Sequence, residues 1–192
     1  MPLEIDHLVV AAESLPEGEA VLSDLFRSPP MPGGKHALMG THNRLWRLTA
    51  REYVELIAID PDAEAPTHPR WFGLDDFRGP PRLVTWVCRA RPLTAPPGST
   101  IREAARGDLH WRIAVPDSGQ SDCDGLDPLR IDWGNGPHPT ETMPDQGLRL
   151  LRLDLHHPKP PKLDMKDPRL SISQTDPQLV AHISTPSGKV TL

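Results

Sequence analysis

An α+β fold is predicted, and three observations predict it. Short runs rich in β-branched residues recur along the chain. Helix-start signals stand after two of those runs. Proline, at 24 of 192 residues, clusters at Pro29-Pro30-Met31-Pro32, Pro80-Pro81, Pro96-Pro97 and from Pro158 to Pro168, which keeps helices few and short.

The first element is a buried strand over Leu3 to Ala11, short and bounded by polar residues. Ser14-Leu15-Pro16-Glu17 opens a helix. Ser14 can cap free N–H groups, Glu17 completes a capping box, and Pro16 falls in the first turn, where no helical partner is lost. Ala20, Val21, Leu22, Leu25 and Phe26 form its apolar stripe, and Pro29 and Pro30 end it. Pro32 to Gly40 reads as a glycine-rich loop. Thr41 to Leu48 and Tyr53 to Ile59 follow as a strand hairpin across Thr49 to Glu52.

The order then repeats. Arg82 to Cys88 is a second strand like the first, and Thr100-Ile101-Arg102-Glu103 is a second capping box, opening a short helix closed near Gly107. Leu109 to Val115 and Leu129 to Trp133 are further strands. Aligning these starts gives a period of about 75–80 residues, the mark of duplicated βαβββ modules. Leu150 to His156 and a terminal hairpin from Gln178 to Leu192, turning at Pro186-Ser187-Gly188, form a partial third unit. Pro158 to Pro177 reads as an extended loop. The predicted organisation is one domain over 1–192, with modules at 1–78 and 79–143 and a C-terminal strand extension at 144–192.

Bulk properties exclude several classes. The net charge is −5 and no basic stripe occurs, which argues against nucleic acid as a partner. No apolar run approaches the roughly 18 residues of a membrane span. Met1-Pro2-Leu3-Glu4 lacks the basic and apolar regions of a signal peptide, so no membrane association and a cytoplasmic location are expected. Cys88 and Cys123 form no C-x-x-C, so neither a zinc knuckle nor a redox pair is suggested, and Cys88 reads as a small core residue. The chain has no G-x-S-x-G, P-loop or dinucleotide fingerprint, and no nucleotide cofactor is expected.

Two apolar strands each carry one metal-type ligand: His7 in Ile5-Asp6-His7-Leu8-Val9-Val10-Ala11, and Glu55 in Tyr53-Val54-Glu55-Leu56-Ile57-Ala58-Ile59. A buried ionised carboxylate needs a partner. His7 and Glu55 are therefore expected to meet across a cavity, directly or through a divalent ion such as Zn, Ni, Mn or Fe. A plain buried His–carboxylate hydrogen bond is the structural alternative. Two ligands make a weak site, and Asp132, His42, His110 or a second chain would have to supply more.

His36, His42 and Asn43 are candidate substrate-binding residues at a pocket mouth; the alternative is a loop that satisfies its own turns. If Thr49 pairs with Glu52, Trp46 faces Glu55 and becomes a stacking wall for substrate; a bulge would bring Asn43 and Arg47 there instead. A core position for Trp46 is the alternative. His156-His157-Pro158 reads as a surface strand end, and Trp71-Phe72-Gly73-Leu74 as packing between modules or a lid.

The chain resembles the vicinal oxygen chelate superfamily, and more closely the glyoxalase-like domain subgroup. The carrying segments are Asp6-His7-Leu8-Val9-Val10, Gly40-Thr41-His42-Asn43-Arg44-Leu45, Tyr53-Val54-Glu55-Leu56-Ile57 and Thr185-Pro186-Ser187-Gly188-Lys189-Val190-Thr191-Leu192. The resemblance implies paired βαβββ modules whose curved mixed sheets enclose a cleft. It also implies a divalent metal held by a His on a module's first strand and a Glu on its last. His7 and Glu55 match those positions, while the second module has Thr85 in place of the His and Ile131 or Asp132 in place of the Glu.

The resemblance further implies a small-molecule ligand and a site that can be completed across a homodimer. The leading expectation is a metal-assisted isomerase or lyase acting on a small oxygenated substrate, with Glu55 catalytic and His7 and Glu55 as metal ligands. The rival is a metal-free small-molecule binding or sequestration protein of the bleomycin-resistance type. A dioxygenase ranks last, since it needs two His and one carboxylate.

Overall fold

The computed structural model describes residues 3–192; of the segment Met1-Pro2-Leu3-Glu4 read above, Met1 and Pro2 lie outside the described residues. β1 (Glu4–Ala11) is buried from Ile5 to Ala11, with apolar residues on both of its faces. Leu8 and Val10 enter one core, while Val9 and Ala11 enter another. That alternation is what a central strand produces when both faces are covered.

α1 (Leu15–Phe26) starts as its sequence requires, with Ser14 accepting from the Glu17 N–H, and it stops where Arg27 turns left-handed. Its Leu15, Leu22 and Phe26 pack on the same side of the sheet as Leu8 and Val10. β2 (Met31–His36), β3 (Thr41–Thr49), β4 (Glu52–Ile59), β5 (Arg82–Arg89), β6 (Ser99–Arg106), β7 (Leu109–Pro116) and β8 (Leu129–Asp132) join β1 in an eight-stranded mixed sheet of order β2-β3-β4-β1-β5-β8-β7-β6.

The sheet corrects two expectations. The glycine-rich stretch is not all loop, because β2 occupies its first part and pairs with β3. The second capping box does not open a helix. Its residues form β6, paired with β7 from Ser99 opposite Pro116 to Arg106 opposite Leu109. Thr100 donates to Asp117 instead of capping a helix. A full antiparallel ladder outweighs a local capping signal that has no apolar helical stripe behind it. The second half therefore runs β5-β6-β7-β8 with no helix corresponding to α1.

β9 (Arg149–His156), β10 (Leu170–Ser173), β11 (Gln178–Thr185) and β12 (Gly188–Thr191) form a separate four-stranded sheet of order β10-β9-β11-β12. β10 lies inside the segment read as a loop. Leu153, Leu155, Ala181 and Ile183 of this sheet share a core with Leu8, Trp46 and Trp86. The second sheet and α1 thus cover the convex face of the first.

The two edges of the large sheet curl toward each other. A Cβ on Gly34 of β2 would lie 2.7 Å from Cγ of Arg106 on β6. The result is a half-barrel whose concave face carries Val9, Ile57, Val87, Trp111 and Ile113. No helix among the described residues is long and apolar enough to cross a membrane.

Candidate functional site

The site begins with a β-bulge. Ile5 pairs with Cys88 and His7 with Val87, which leaves Asp6 as an extra residue in β1. Neighbours in a regular strand point to opposite faces, and a bulge re-aims one of them. Here Asp6 and His7 meet, with Asp6 Oδ1 2.7 Å from His7 Nδ1. Asp6 is fully buried and also accepts from Arg89 Nη1 at 3.0 Å and Trp133 Nε1 at 3.1 Å, and it lies 3.2 Å from His138 Nε2.

The other His7 nitrogen, Nε2, lies 3.5 Å from Oε2 of Glu55, which β4 delivers from a parallel pairing with β1. The His7 ring stacks on Tyr53 with centroids 4.6 Å apart. Burial alone would lower the His7 value, but the Asp6 and Glu55 carboxylates overcome it and raise it from 6.5 to about 9. Burial alone would raise Glu55, but His7, with help from His36 and Asn43, holds it down at about 2. Burial likewise opposes ionisation of Asp6, and hydrogen bonds from His138 and His7 keep it well below the usual carboxylate range.

The register of β3 against β4 decides which predicted residues join. A bulge between Arg47 and Thr49 places Leu45 opposite Glu55 and Trp46 opposite Val54. Asn43 therefore shares the Glu55 face, and its Nδ2 donates to Glu55 Oε1 at 2.5 Å. Its Oδ1 accepts from the Gly34 N–H at 2.9 Å. A Cβ on Gly33 would lie 2.1 Å from the Asn43 carbonyl oxygen, so this close strand approach requires glycine.

His36 is also in the cleft. It is edge-on to Trp71 and Trp111, and its Nδ1 lies 3.0 Å from Thr41 Oγ1. Burial lowers its value to about 4, so it is neutral at pH 7.

Trp46 and His42 are not brought to this site. Trp46 is in the convex-side core against Phe26, with Nε1 donating to the Ser28 carbonyl at 2.9 Å. The facing of Trp46 onto Glu55 is thus corrected, and the cause is the bulge. His42 is paired with Ala58 and falls on the same side as Trp46.

The second half contributes no ligand to the cleft. Thr85 donates to the Gly125 carbonyl at 2.9 Å, Ile131 presents an apolar side chain to the cleft, and Asp132 is held by Arg112 at 2.6 Å and by the Gly134 N–H. His110 is exposed. Among the described residues, no group of three or more His, Cys, Asp or Glu side chains could hold a metal. His7 and Glu55 alone fit a divalent ion as two protein donors. The Asp6 contact to Nδ1 is the outer-shell partner a metal-binding histidine usually has.

His7, His36, Tyr53, Glu55, Trp71 and Trp111 surround an inner cavity of about 20 Å³, room for about one water. A larger cleft of about 410 Å³ lies beyond Asp6, beside Arg89, Trp133 and His138. Two of its lining arginines are already committed, Arg89 to Glu4 and Asp6, and the exposed Arg91 to the Gly134 carbonyl and Asn135. The inner cleft is the one that holds the buried His7–Glu55 pair.

The sequence reading did not assign Asp6, Tyr53, Trp133, His138 or Arg106 to the site; of the tryptophans it gave to a metal-free binding pocket, Trp46, Trp86 and Trp111, the structure brings Trp111 to the inner cleft. The Asp6-His7 dipeptide was visible, but only the bulge turns the two side chains together. Trp71 and Phe72 form a short 3₁₀ turn buried against the concave core, and both face the cleft.

A curled mixed sheet that presents a His and a carboxylate on neighbouring central strands, inside an aromatic cleft, defines the class. The glyoxalase-like domain family matches residues 5–169, and the chain belongs to that family, within the vicinal oxygen chelate superfamily. A hypothetical protein from Staphylococcus aureus, known from a crystal structure, superposes with a TM-score of 0.53 at 13% identity, over 82% of this chain and 70% of that one. That likeness concerns the fold alone. The curated proteins contain no match to the chain.

Proposed function

We propose that the chain is a glyoxalase-like enzyme, an isomerase or lyase that moves a proton on a small oxygenated substrate. One observation carries this reading: a buried line of Asp6, His7 and Glu55, with contacts of 2.7 and 3.5 Å, opens on an aromatic-walled cleft. Such an arrangement of charged groups is costly to bury unless its charges are used or satisfied.

His7 Nε2 and Glu55 Oε2 are the groups that would hold a divalent ion. When bound, the ion would act as a Lewis acid on two neighbouring substrate oxygens. Asp6 fixes the His7 ring so that Nε2 faces the cleft. Asn43 holds the other Glu55 oxygen and so fixes the plane of that carboxylate. Among the residues lining the inner cleft, Glu55 is the one carboxylate, and it is the group placed to accept a substrate proton. Trp71, Phe72 and Trp111 exclude water.

Metal-free sequestration of a small molecule is the second reading. It is favoured by the aromatic walls and by the His7–Glu55 contact, which satisfies both charges without an ion. Deuterium wash-in separates the two. Ketoaldehydes and hydroxy acids are incubated with the protein in D2O, and exchange at the carbon beside the carbonyl or hydroxyl is read by NMR. Exchange abolished by Glu55→Gln supports the enzyme. Binding without exchange supports sequestration.

A further inference from the structure

We propose that Arg106 is the residue that selects the substrate, and that it does so by binding a carboxylate at the mouth of the inner cleft. The proposal rests on the reading of that cleft as a substrate site. Arg106 ends β6 at the edge of the half-barrel, on the concave face shared with Ala104 and Trp111. It lines the inner cleft together with His7 and Glu55. It also lines an outer groove of about 490 Å³ between the two sheet edges. It therefore stands where the two spaces join.

The guanidinium there has no partner. Among the described residues, Arg106 makes no side-chain hydrogen bond and no ion pair, although it is partly buried. The carboxylate that lines the inner cleft with it is taken. Glu55 has one oxygen on Asn43 and the other facing His7. Asp60 and Asp62, beyond β2, are engaged by Lys35. Asp6 is engaged by Arg89 and its other donors. Arg44, Arg70, Arg89, Arg112, Arg149, Arg152 and Arg169 each hold a carboxylate. Among the described residues Arg102 and Arg130 share the lack of a partner, but Arg106 is the arginine that lines the inner cleft.

The backbone opposite is cut away for this side chain. A Cβ on Gly34 would lie 2.7 Å from Arg106 Cγ and 2.8 Å from Cδ. The aliphatic stem thus lies on bare β2 backbone and its charged end is carried to the mouth. A planar guanidinium with free donors matches a carboxylate through paired hydrogen bonds. The inner cavity, with room for about one water, would take only the oxygenated end of such a molecule. The substrate class is accordingly a short carboxylic acid with an oxygen on the neighbouring carbon.

The test uses the full chain, stripped of metal with chelator, and tryptophan fluorescence, since Trp71, Trp111 and Trp133 line the cleft. Pyruvate and its neutral isostere pyruvamide are the probes. The wild type is expected to bind pyruvate at least roughly tenfold more tightly than pyruvamide. Arg106→Gln should bind both alike, and Arg106→Lys, which keeps the charge, should retain a preference. Equal affinities in the wild type, no saturable response to pyruvate, or a preference that survives in Arg106→Gln would overturn the proposal.

Mn²⁺ uptake is measured by calorimetry on the same samples. An Arg106-dependent preference without metal uptake would sink the metal reading and keep this one. Metal uptake without the preference would do the reverse.

Discussion

His7 Nδ1 lies 2.7 Å from Asp6 Oδ1, although the two residues are neighbours in one strand. Only the bulge in β1 allows that contact, and it decides the character of the site. One His7 nitrogen is anchored to a buried carboxylate, and the other is aimed at Glu55. The same Asp6 is tied to Arg89, Trp133 and His138, so the anchor is itself fixed from β5 and from the loops after β8.

Asp6→Asn is expected to be severe. It removes a charge that Arg89 and His7 have been desolvated to meet, and breaking such a buried set typically costs about 3–5 kcal/mol. Urea unfolding of the variant would measure it. A loss below about 1 kcal/mol, typical of an exposed pair, would show that the cluster is not buried as described.

Stability of the metal-free protein should fall on both sides of neutrality. His7 is raised from 6.5 to about 9, so its contribution is complete below 6.5 and is lost as pH rises through about 9. Glu55 is lowered from 4.5 to about 2, so its contribution is complete above 4.5 and is lost as pH falls through about 2. His36 is lowered from 6.5 to about 4, and its contribution is present above 6.5 and disappears as pH falls through about 4. Melting temperatures across pH would trace these limbs. The alkaline limb should be missing in His7→Gln; its persistence there would assign it to another group.

Metal uptake should release protons. His7 carries a proton at neutral pH in the metal-free protein, and that proton must leave before Nε2 can ligate. Apparent affinity should then rise roughly tenfold per pH unit up to about pH 9. Titration with Mn²⁺ in weak buffer containing an indicator dye would count the protons. Uptake with no proton release would mean that the ion binds elsewhere.

Trp46→Ala and Trp111→Ala should separate core from cleft. Trp46 is fully buried between the sheet and α1, and its truncation should cost about 3–5 kcal/mol while leaving cleft binding intact. Trp111→Ala should weaken binding of small ligands in the cleft. Loss of binding in the Trp46 variant, with stability unchanged, would contradict the observed register.

Much of the first half was legible in the sequence. The buried β1, the Ser14 cap and the hairpin of β3 and β4 all follow from local pattern. What was not legible depends on pairing. Whether Trp46 or Asn43 faces Glu55 hinges on one extra residue between Arg47 and Thr49, and a period-2 reading cannot place it. Thr100 to Glu103 matched a capping box, yet pairing with β7 decided its structure. Arg106 carried no signal at all, because its significance lies in what it does not touch and in the bare backbone of Gly34.

The most direct test of the central claim is the metal content of purified, untagged protein by plasma mass spectrometry, compared with His7→Ala and Glu55→Gln. The account predicts near-stoichiometric divalent metal in the wild type and little in either variant, with both variants folded by circular dichroism. Protein that stays metal-free after soaking with Zn, Ni, Mn and ferrous ions, or variants that retain the metal, would contradict it. In the first case, the cleft would be a binding pocket closed by an ion pair.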